Sequence, residues 1–339
     1  MNQIGVVGAG AWGTALALTT YRAGKHVMLW VHSPTTEAML VANHESPYLP
    51  GVRLPLDKRT LYPTTDPAAV ARTCDAILLA VPAQYLRAVC TQFAPHWRSG
   101  IPVIICAKGI ERYTNALMHE IIGETLPAAT IAVLSGPSFA AEVARGLPTA
   151  LTLACQDLGL GRALIRTLGT SALRLYLSHD VLGAEIGGAV KNVLAIGCGI
   201  VEGRALGENA RAALTTRGLA EIVRLAVAVG AQAETLMGLS GLGDLILTAN
   251  SIQSRNFSLG VALGQGASLT EILVSRRSVT EGVYSAAAVV ERAKILAVEM
   301  PICWAVRSVL NQDEPIDRVI HSLLTRPFRT ENGLGCYGA

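Results

Sequence analysis

The sequence predicts an α/β amino-terminal half, a doubly wound parallel sheet, followed by an all-α carboxy-terminal domain. Three observations predict it. Short β-branched and apolar runs alternate with helical patterns as far as Ser178, as expected of a parallel sheet covered on both faces. From Asp180 onward the strand pattern stops and helical periodicity takes over. The chain has 339 residues, 51% hydrophobic and 16% charged, enough for two domains that each bury a core. The expected division is 1–178 for the sheet domain, 179–327 for the helical domain, and a flexible glycine-rich tail at 328–339.

The first strand, Ile4 to Val7, breaks into Gly8-Ala9-Gly10-Ala11-Trp12-Gly13 and then into a helix through Thr14 to Leu18. Strand, tight turn and helix with glycines at the G-x-G-x-x-G spacing form a Rossmann-like dinucleotide-binding turn. Gly8 permits the turn, Gly10 lets a pyrophosphate approach the backbone, and Gly13 lets the helix pack closely on the strand. The free N–H groups at the helix start then face the phosphates. His26 to Val31 reads as the second strand. An acid commonly follows such a strand to hold the ribose 2′-hydroxyl, but here His32 and Ser33 follow and no acid appears before Glu37. Nothing there repels a 2′-phosphate, so NADP as well as NAD fits, and His32 is a candidate cofactor contact.

Asn43 to Pro55, with three prolines and Gly51, reads as loop. Asp66-Pro67 opens a helix with an Asp cap and proline at its first position. Buried strands follow at Ala76–Val81, Val103–Ala107 and Ile131–Leu134, with closing edge strands at 149–154 and 173–177. Ligands of such sheets sit at the carboxyl ends of strands. Lys108 and Gly136 to Ser138 each lie just past one, which makes them candidate substrate contacts.

In the helical half, Val181 to Val201 reads as a buried helix rich in small residues, with Lys191 and Asn192 adjacent amid apolar neighbours. Burying an ammonium without a partner is costly, so its pKa falls or it finds a carboxylate. Two readings stand: a structural lysine that snorkels or pairs with Glu185 or another acid, and a lysine tuned to exchange a proton near neutral pH. Gly241-Leu242-Gly243 turns the chain ahead of Asp244, Ser254-Arg255-Asn256 is a compact donor cluster suited to a phosphate, and Glu281 begins another helix.

Composition excludes other classes. A net charge of +3 with no basic block gives no case for nucleic acid. Met1 to Tyr21 carries no charge but is broken by glycines, and later apolar runs are cut by Lys108, Glu142, Lys191 or Glu202. No spanning segment is therefore expected, and the chain is expected to be soluble. Seven cysteines without a C-x-x-C pair suit reduced thiols in a cytoplasm, and seven histidines without an i,i+4 pair suggest no metal site. Two rival readings are another dehydrogenase of a β-hydroxyacid or ketopantoate type and a non-catalytic nicotinamide sensor. A nucleophilic Cys198 is disfavoured by its place between Gly197 and Gly199 in an apolar helix.

The ordered motifs Gly8–Ala17, Tyr48–Gly51, Lys108–Glu111, Ser135–Ala140, Gly188–Asn192, Gly207–Ala210, Thr216–Gly218, Gly241–Asp244 and Gln253–Asn256 resemble bacterial-type NAD(P)-dependent glycerol-3-phosphate dehydrogenase, nearly to residue 325. The resemblance implies reversible reduction of dihydroxyacetone phosphate to sn-glycerol 3-phosphate with NADP or NAD and no metal, supplying glycerophospholipid synthesis from the cytoplasm. It implies Lys191 as proton donor and acceptor, and substrate contacts from Lys108, Gly136, Ser138, Lys191, Asn192, Asp244, Ser254, Arg255 and Asn256. Implied cofactor contacts are Gly8, Gly10, Ala11, Trp12, Gly13, His32, Lys108, Ala140, Arg255, Val279 and Glu281. His32 departs from the arginine frequently seen there, which leaves the choice between NADP and NAD open. A homodimer that is not an integral membrane protein, acting on a phosphorylated triose, is the expected working form.

Overall fold

The computed structural model describes residues 1–275 and 280–327. Val279 and the glycine-rich 328–339 lie outside the described residues.

The first half lays down β1 (Gln3–Val7), β2 (His26–Trp30), β3 (Glu45–Ser46), β4 (Leu49–Arg53), β5 (Leu61–Thr64) and β6 (Ala76–Leu79). It continues with β7 (Pro102–Ile105), β8 (Thr130–Ser135), β9 (Thr149–Cys155) and β10 (Leu173–Ser178). Eight of these form one sheet in the order β10-β9-β8-β7-β6-β1-β2-β5, while β3 and β4 pair separately as a small antiparallel hairpin. From β5 to β8 every pairing is parallel. That run is a dinucleotide-fold order, with its crevice at the carboxyl ends of β1 and β6, where the chain changes direction.

The helices α1 (Ala11–Arg22), α2 (Pro34–Asn43), α3 (Pro67–Thr73), α4 (Leu86–Phe93), α5 (Met118–Thr125), α6 (Ala140–Arg145) and α7 (Leu158–Leu168) cover this sheet. Their apolar faces meet the strands in two core clusters, one around Ile4, Leu29 and Leu78 and one around Trp30, Ile77 and Phe93. The expected Asp66 cap is present, its Oδ1 accepting the Ala68 N–H at 2.8 Å.

Three features differ from the sequence reading. Residues 43–55 are not simply loop but contain the β3–β4 hairpin. A strand at Leu61–Thr64 was not expected: Pro63 argues against a central strand, and β5 is admissible because it lies at the sheet edge. Finally, β9 runs antiparallel to β8, so the sheet is mixed.

The helical half comprises α8 (Val181–Gly203), α9 (Glu208–Ala228), α10 (Ala233–Leu236), α11 (Asp244–Ala249), α12 (Arg255–Gly264), α13 (Leu269–Ser275), α14 (Glu281–Ile295), α15 (Pro301–Asn311) and α16 (Ile316–Leu324). Its core is built around α8, where Ile186, Val190, Val193, Leu194 and Ile196 are fully buried. Lys191 does not cut the apolar run short as expected: α8 is long and apolar enough to cross a membrane, but its apolar window is entirely buried inside the protein.

Against α12 the packing is backbone on backbone. A Cβ on Gly199 would lie 2.1 Å from Phe257 O, one on Gly203 2.3 Å from Val261 O, and one on Gly260 2.1 Å from Ile196 O. Any side chain at these three positions would hold the helices apart.

Candidate active site

At the amino-terminal turn, the three glycines answer to different constraints. Gly8 has φ +111, a left-handed conformation that costs other residues energy. A Cβ on Gly13 would lie 1.7 Å from Gly8 O, so nothing larger than glycine lets α1 start so close to β1. A Cβ on Gly10 would meet no protein atom within 4 Å, which leaves the backbone there open to a ligand. The α1 start offers free N–H groups and the positive end of the helix dipole to a pyrophosphate.

Other residues of this rim fit the same group. Ala11 and Trp12 are half-buried in the first turn of α1, and the Trp12 indole N–H is buried with no hydrogen-bond partner among the described residues. His32 is exposed just past β2, its ring 5.9 Å from that of Trp30. Ala140 opens α6, which packs along α1. On the far side of the crevice, Glu281 at the start of α14 accepts the Ala83 N–H at 3.1 Å through Oε1, while Oε2 is buried with no hydrogen-bond partner among the described residues. Burial pushes the Glu281 carboxyl up to about 7, against the opposing pull of the Ala83 N–H and Arg255. A carboxyl poised there can accept from or donate to an amide, so these residues fit a nicotinamide dinucleotide.

The carboxyl ends of β7 and β8 face α8 and α11, and there the predicted polar residues converge. Lys191 Nζ pairs with Asp244 Oδ1 and donates to Thr248 Oγ1 at 2.8 Å. Lys108 Nζ donates to Asp244 Oδ2 at 2.7 Å and to Gly136 O at 2.8 Å. Asp244 is 1% exposed, and each of its oxygens holds one ammonium. Asn192 donates to Lys108 O at 3.2 Å and accepts from Asn256 Nδ2 at 2.9 Å, while Asn256 Oδ1 accepts the Gly282 N–H at 3.0 Å. Two branches of hydrogen bonds thus leave Lys108, just past β7: one through Asp244 to Lys191 of α8, the other through Asn192 of α8 and Asn256 of α12 to α14.

Glycines make this convergence possible. A Cβ on Gly188 would lie 2.8 Å from Ser135 Oγ and 3.3 Å from Lys108 Cγ, so the Lys108 stem passes over bare backbone. A π-helical turn at Leu239–Gly243 brings in Asp244, with Ser240 O where a Cβ on Gly187 would be.

Burial pushes the Lys191 ammonium down to about 8, with Lys108 adding to the effect and Asp244 opposing it. The acid that Lys191 finds is Asp244; Glu185 is engaged elsewhere, by His119.

The Ser254–Asn256 cluster is more divided than its sequence suggested. Ser254 Oγ caps α12 by accepting the Phe257 N–H at 3.2 Å, and Asn256 is buried in the network above. Arg255 is exposed at the helix start, beside the Glu281 carboxyl. Ser138 is half-buried and donates to Gly136 O at 3.1 Å. His32 follows β2 and Ala140 opens α6, both on the side of the amino-terminal turn, and Val279 lies outside the described residues. Thr248 was missed; the available signal was its place four residues after Asp244, one helical turn along α11.

A family model described as NAD-dependent glycerol-3-phosphate dehydrogenase N-terminus matches residues 3–160, and the corresponding C-terminus model matches 180–321. The chain is 57% identical over 334 residues to a glycerol-3-phosphate dehydrogenase [NAD(P)+] of Rhodospirillum rubrum, covering 98% of this chain and 95% of that protein. It is 55% identical over 331 residues to the enzyme of the same name from Maricaulis maris, covering 97% and 98% respectively. The crystal structure of glycerol-3-phosphate dehydrogenase from Coxiella burnetii superposes with a TM-score of 0.91 at 38% identity, covering 96% of this chain and 99% of that one.

Proposed function

The chain belongs to the NAD-dependent glycerol-3-phosphate dehydrogenase family, and from that premise we infer that it is an NAD(P)-dependent oxidoreductase that reversibly reduces dihydroxyacetone phosphate to sn-glycerol 3-phosphate. The observation that carries the mechanism is the buried Lys191 ammonium, held by Asp244 and Thr248 beside Lys108.

The glycine turn and Glu281 would hold NAD(P)H, whose chemistry is to supply a hydride. The protein's own work is to place the ketone and move a proton. Lys191 gives its proton to the alkoxide oxygen that develops at C2 and takes it back in the reverse direction. An amine near pKa 8 is well matched to both directions close to neutral pH. Lys108 adds a second positive charge for the developing oxyanion. Asn192 is aimed by Asn256 and by the Lys108 carbonyl. Asp244 fixes both ammonium groups at the place where substrate would bind. Arg255 and the α12 start meet the phosphate, so that binding at a remote group holds the reacting carbon in register. Gly136 and Ser138 line the same strand terminus.

The reaction supplies the backbone of glycerophospholipids from the cytoplasm; buried thiols at Cys74, Cys90, Cys106, Cys155, Cys198 and Cys303 agree with a reducing compartment. The working form is a homodimer, a reading supported by the exposed small residues Ala212, Ala213 and Thr216 on α9 and tested by sedimentation.

A steady-state assay with dihydroxyacetone phosphate and each reduced nicotinamide in turn tests the activity. Unphosphorylated keto acids should react far more slowly; equal rates would return the protein to the general hydroxyacid dehydrogenases. Lys191→Ala should lower turnover by ~10²–10⁴-fold, the usual worth of a positioned acid–base group, while cofactor still binds. Near-normal turnover in that variant would remove Lys191 from the mechanism.

A further inference from the structure

Lys108 begins an irregular stretch that ends at α5, and the far end of this stretch is fastened to the helical domain by a second pair of side chains. Glu185 lies on α8 with its carboxylate 3% exposed. One oxygen accepts the His119 backbone N–H at 2.8 Å and the other meets His119 Nδ1. The neighbouring residue repeats the arrangement on another helix. Glu120 takes a two-pronged contact from Arg292 of α14 at 2.8 and 2.9 Å, and Arg292 also donates to Asn115 O at 2.9 Å.

Glu185, Gly188 and Asn192 follow one another at i, i+3 and i+7, a single stripe along α8. The stripe meets the 108–120 segment three times: Glu185 on His119, Gly188 under the Lys108 stem, and the Asn192 amide on the Lys108 carbonyl.

We propose that His119 and Glu185 are a positioning pair for the reaction, fixing the register of the Lys108 segment against the helix that carries Lys191. Resting on the function inferred above, this gives both residues a role at a distance from the reacting atoms. The charges around the imidazole support it. Burial alone would lower its pKa, but Glu185, helped by Glu120 and opposed by Arg292, holds it above the ordinary histidine value. Both Glu185 oxygens are committed to His119, one to its backbone N–H and one to its ring, so a sub-ångström slip at the clasp moves one ammonium relative to the other.

The test is a double-mutant cycle with H119Q, E185Q and the double variant. It reads kcat and KM for dihydroxyacetone phosphate, thermal midpoint, and, in the wild type and E185Q, the His119 imidazole titration by NMR. Each single variant should lose about tenfold or more in kcat, since small misplacements of reacting groups are costly. The KM for the nicotinamide should hold within about twofold, and the double variant should be no worse than the weaker single, as for coupled residues. In E185Q the imidazole pKa should fall. Should E185Q fail to fold, H119Q, at the more exposed end of the pair, carries the kinetic test alone. Singles that lower the thermal midpoint but leave kcat unchanged, or effects that simply add, would reduce the pair to a structural tie and overturn the proposal. A wild-type chain inactive on dihydroxyacetone phosphate would instead sink the function on which it rests.

Discussion

Lys191 owes its lowered pKa to where it is buried. Lys191 and Asn192 stood out in the sequence because two polar groups interrupt a long apolar stretch, and burial made a depressed pKa expected. Its partner was not legible: Asp244 lies 53 positions away, and only the folded chain shows that it holds both Lys108 and Lys191. Thr248 carried no signal beyond its spacing from Asp244. The pKa of about 8 has a consequence for stability. The folded state holds the lysine proton less tightly than the unfolded chain does, so between pH 8 and the ordinary lysine value of 10.5 the unfolded state binds more protons. Unfolding free energy should therefore rise with pH across that window on account of this group. In Lys191→Met that component of the rise should vanish; denaturant titrations of both proteins at several pH values compare the two slopes.

Among the elements, those defined by strong local patterns were readable, and those defined by their neighbours were not. The glycine turn, the capped α3 and the buried α8 follow from residue types alone. The edge strand β5 did not, because Pro63 suits an edge only once the sheet order is known. The antiparallel β9 was equally hidden, since a buried apolar run carries no mark of direction. The Ser254–Asn256 cluster looked like three equal donors, whereas the start of α12 uses Ser254 as its cap and Asn256 as a strut for Asn192. At the amino-terminal turn, Gly13→Ala should be far more damaging than Gly10→Ala to the folded protein. The first places a methyl 1.7 Å from a carbonyl oxygen and the second places one in open space. Thermal unfolding should separate the two variants, while nicotinamide binding, followed by fluorescence, should be weakened in both.

On the scale of the whole molecule, the site belongs to neither half alone. The segments just past β7 and β8 supply Lys108 and Gly136, α8 and α11 supply Lys191, Asn192 and Asp244, and α14 returns to the sheet domain through the contact of Glu281 with Ala83. The sequence announced two architectures in succession, but which residues would face each other across the cleft depended on long-range packing. The α8–α12 contact is the clearest case. Gly260→Ala would drive a methyl into Ile196 O at 2.1 Å and force the two helices apart. It should raise the KM for the phosphorylated substrate by about tenfold while changing cofactor affinity little, because the displaced groups are the start of α12, proposed above to meet the phosphate, and the Asn256–Asn192 contact. An unchanged KM in a folded variant would show that the seam does not govern the site.

Two helices touching through bare main chain behave as a fixed gauge. With no side chains at the closest points to trim or swap, the span from the Lys191 amine to the start of α12 cannot be retuned by conservative replacements on either rod. A lineage drifting toward a longer or shorter phosphorylated ketone would have to alter the 108–120 segment or the approach to Ser254, leaving the calibrated pair of helices as it stands.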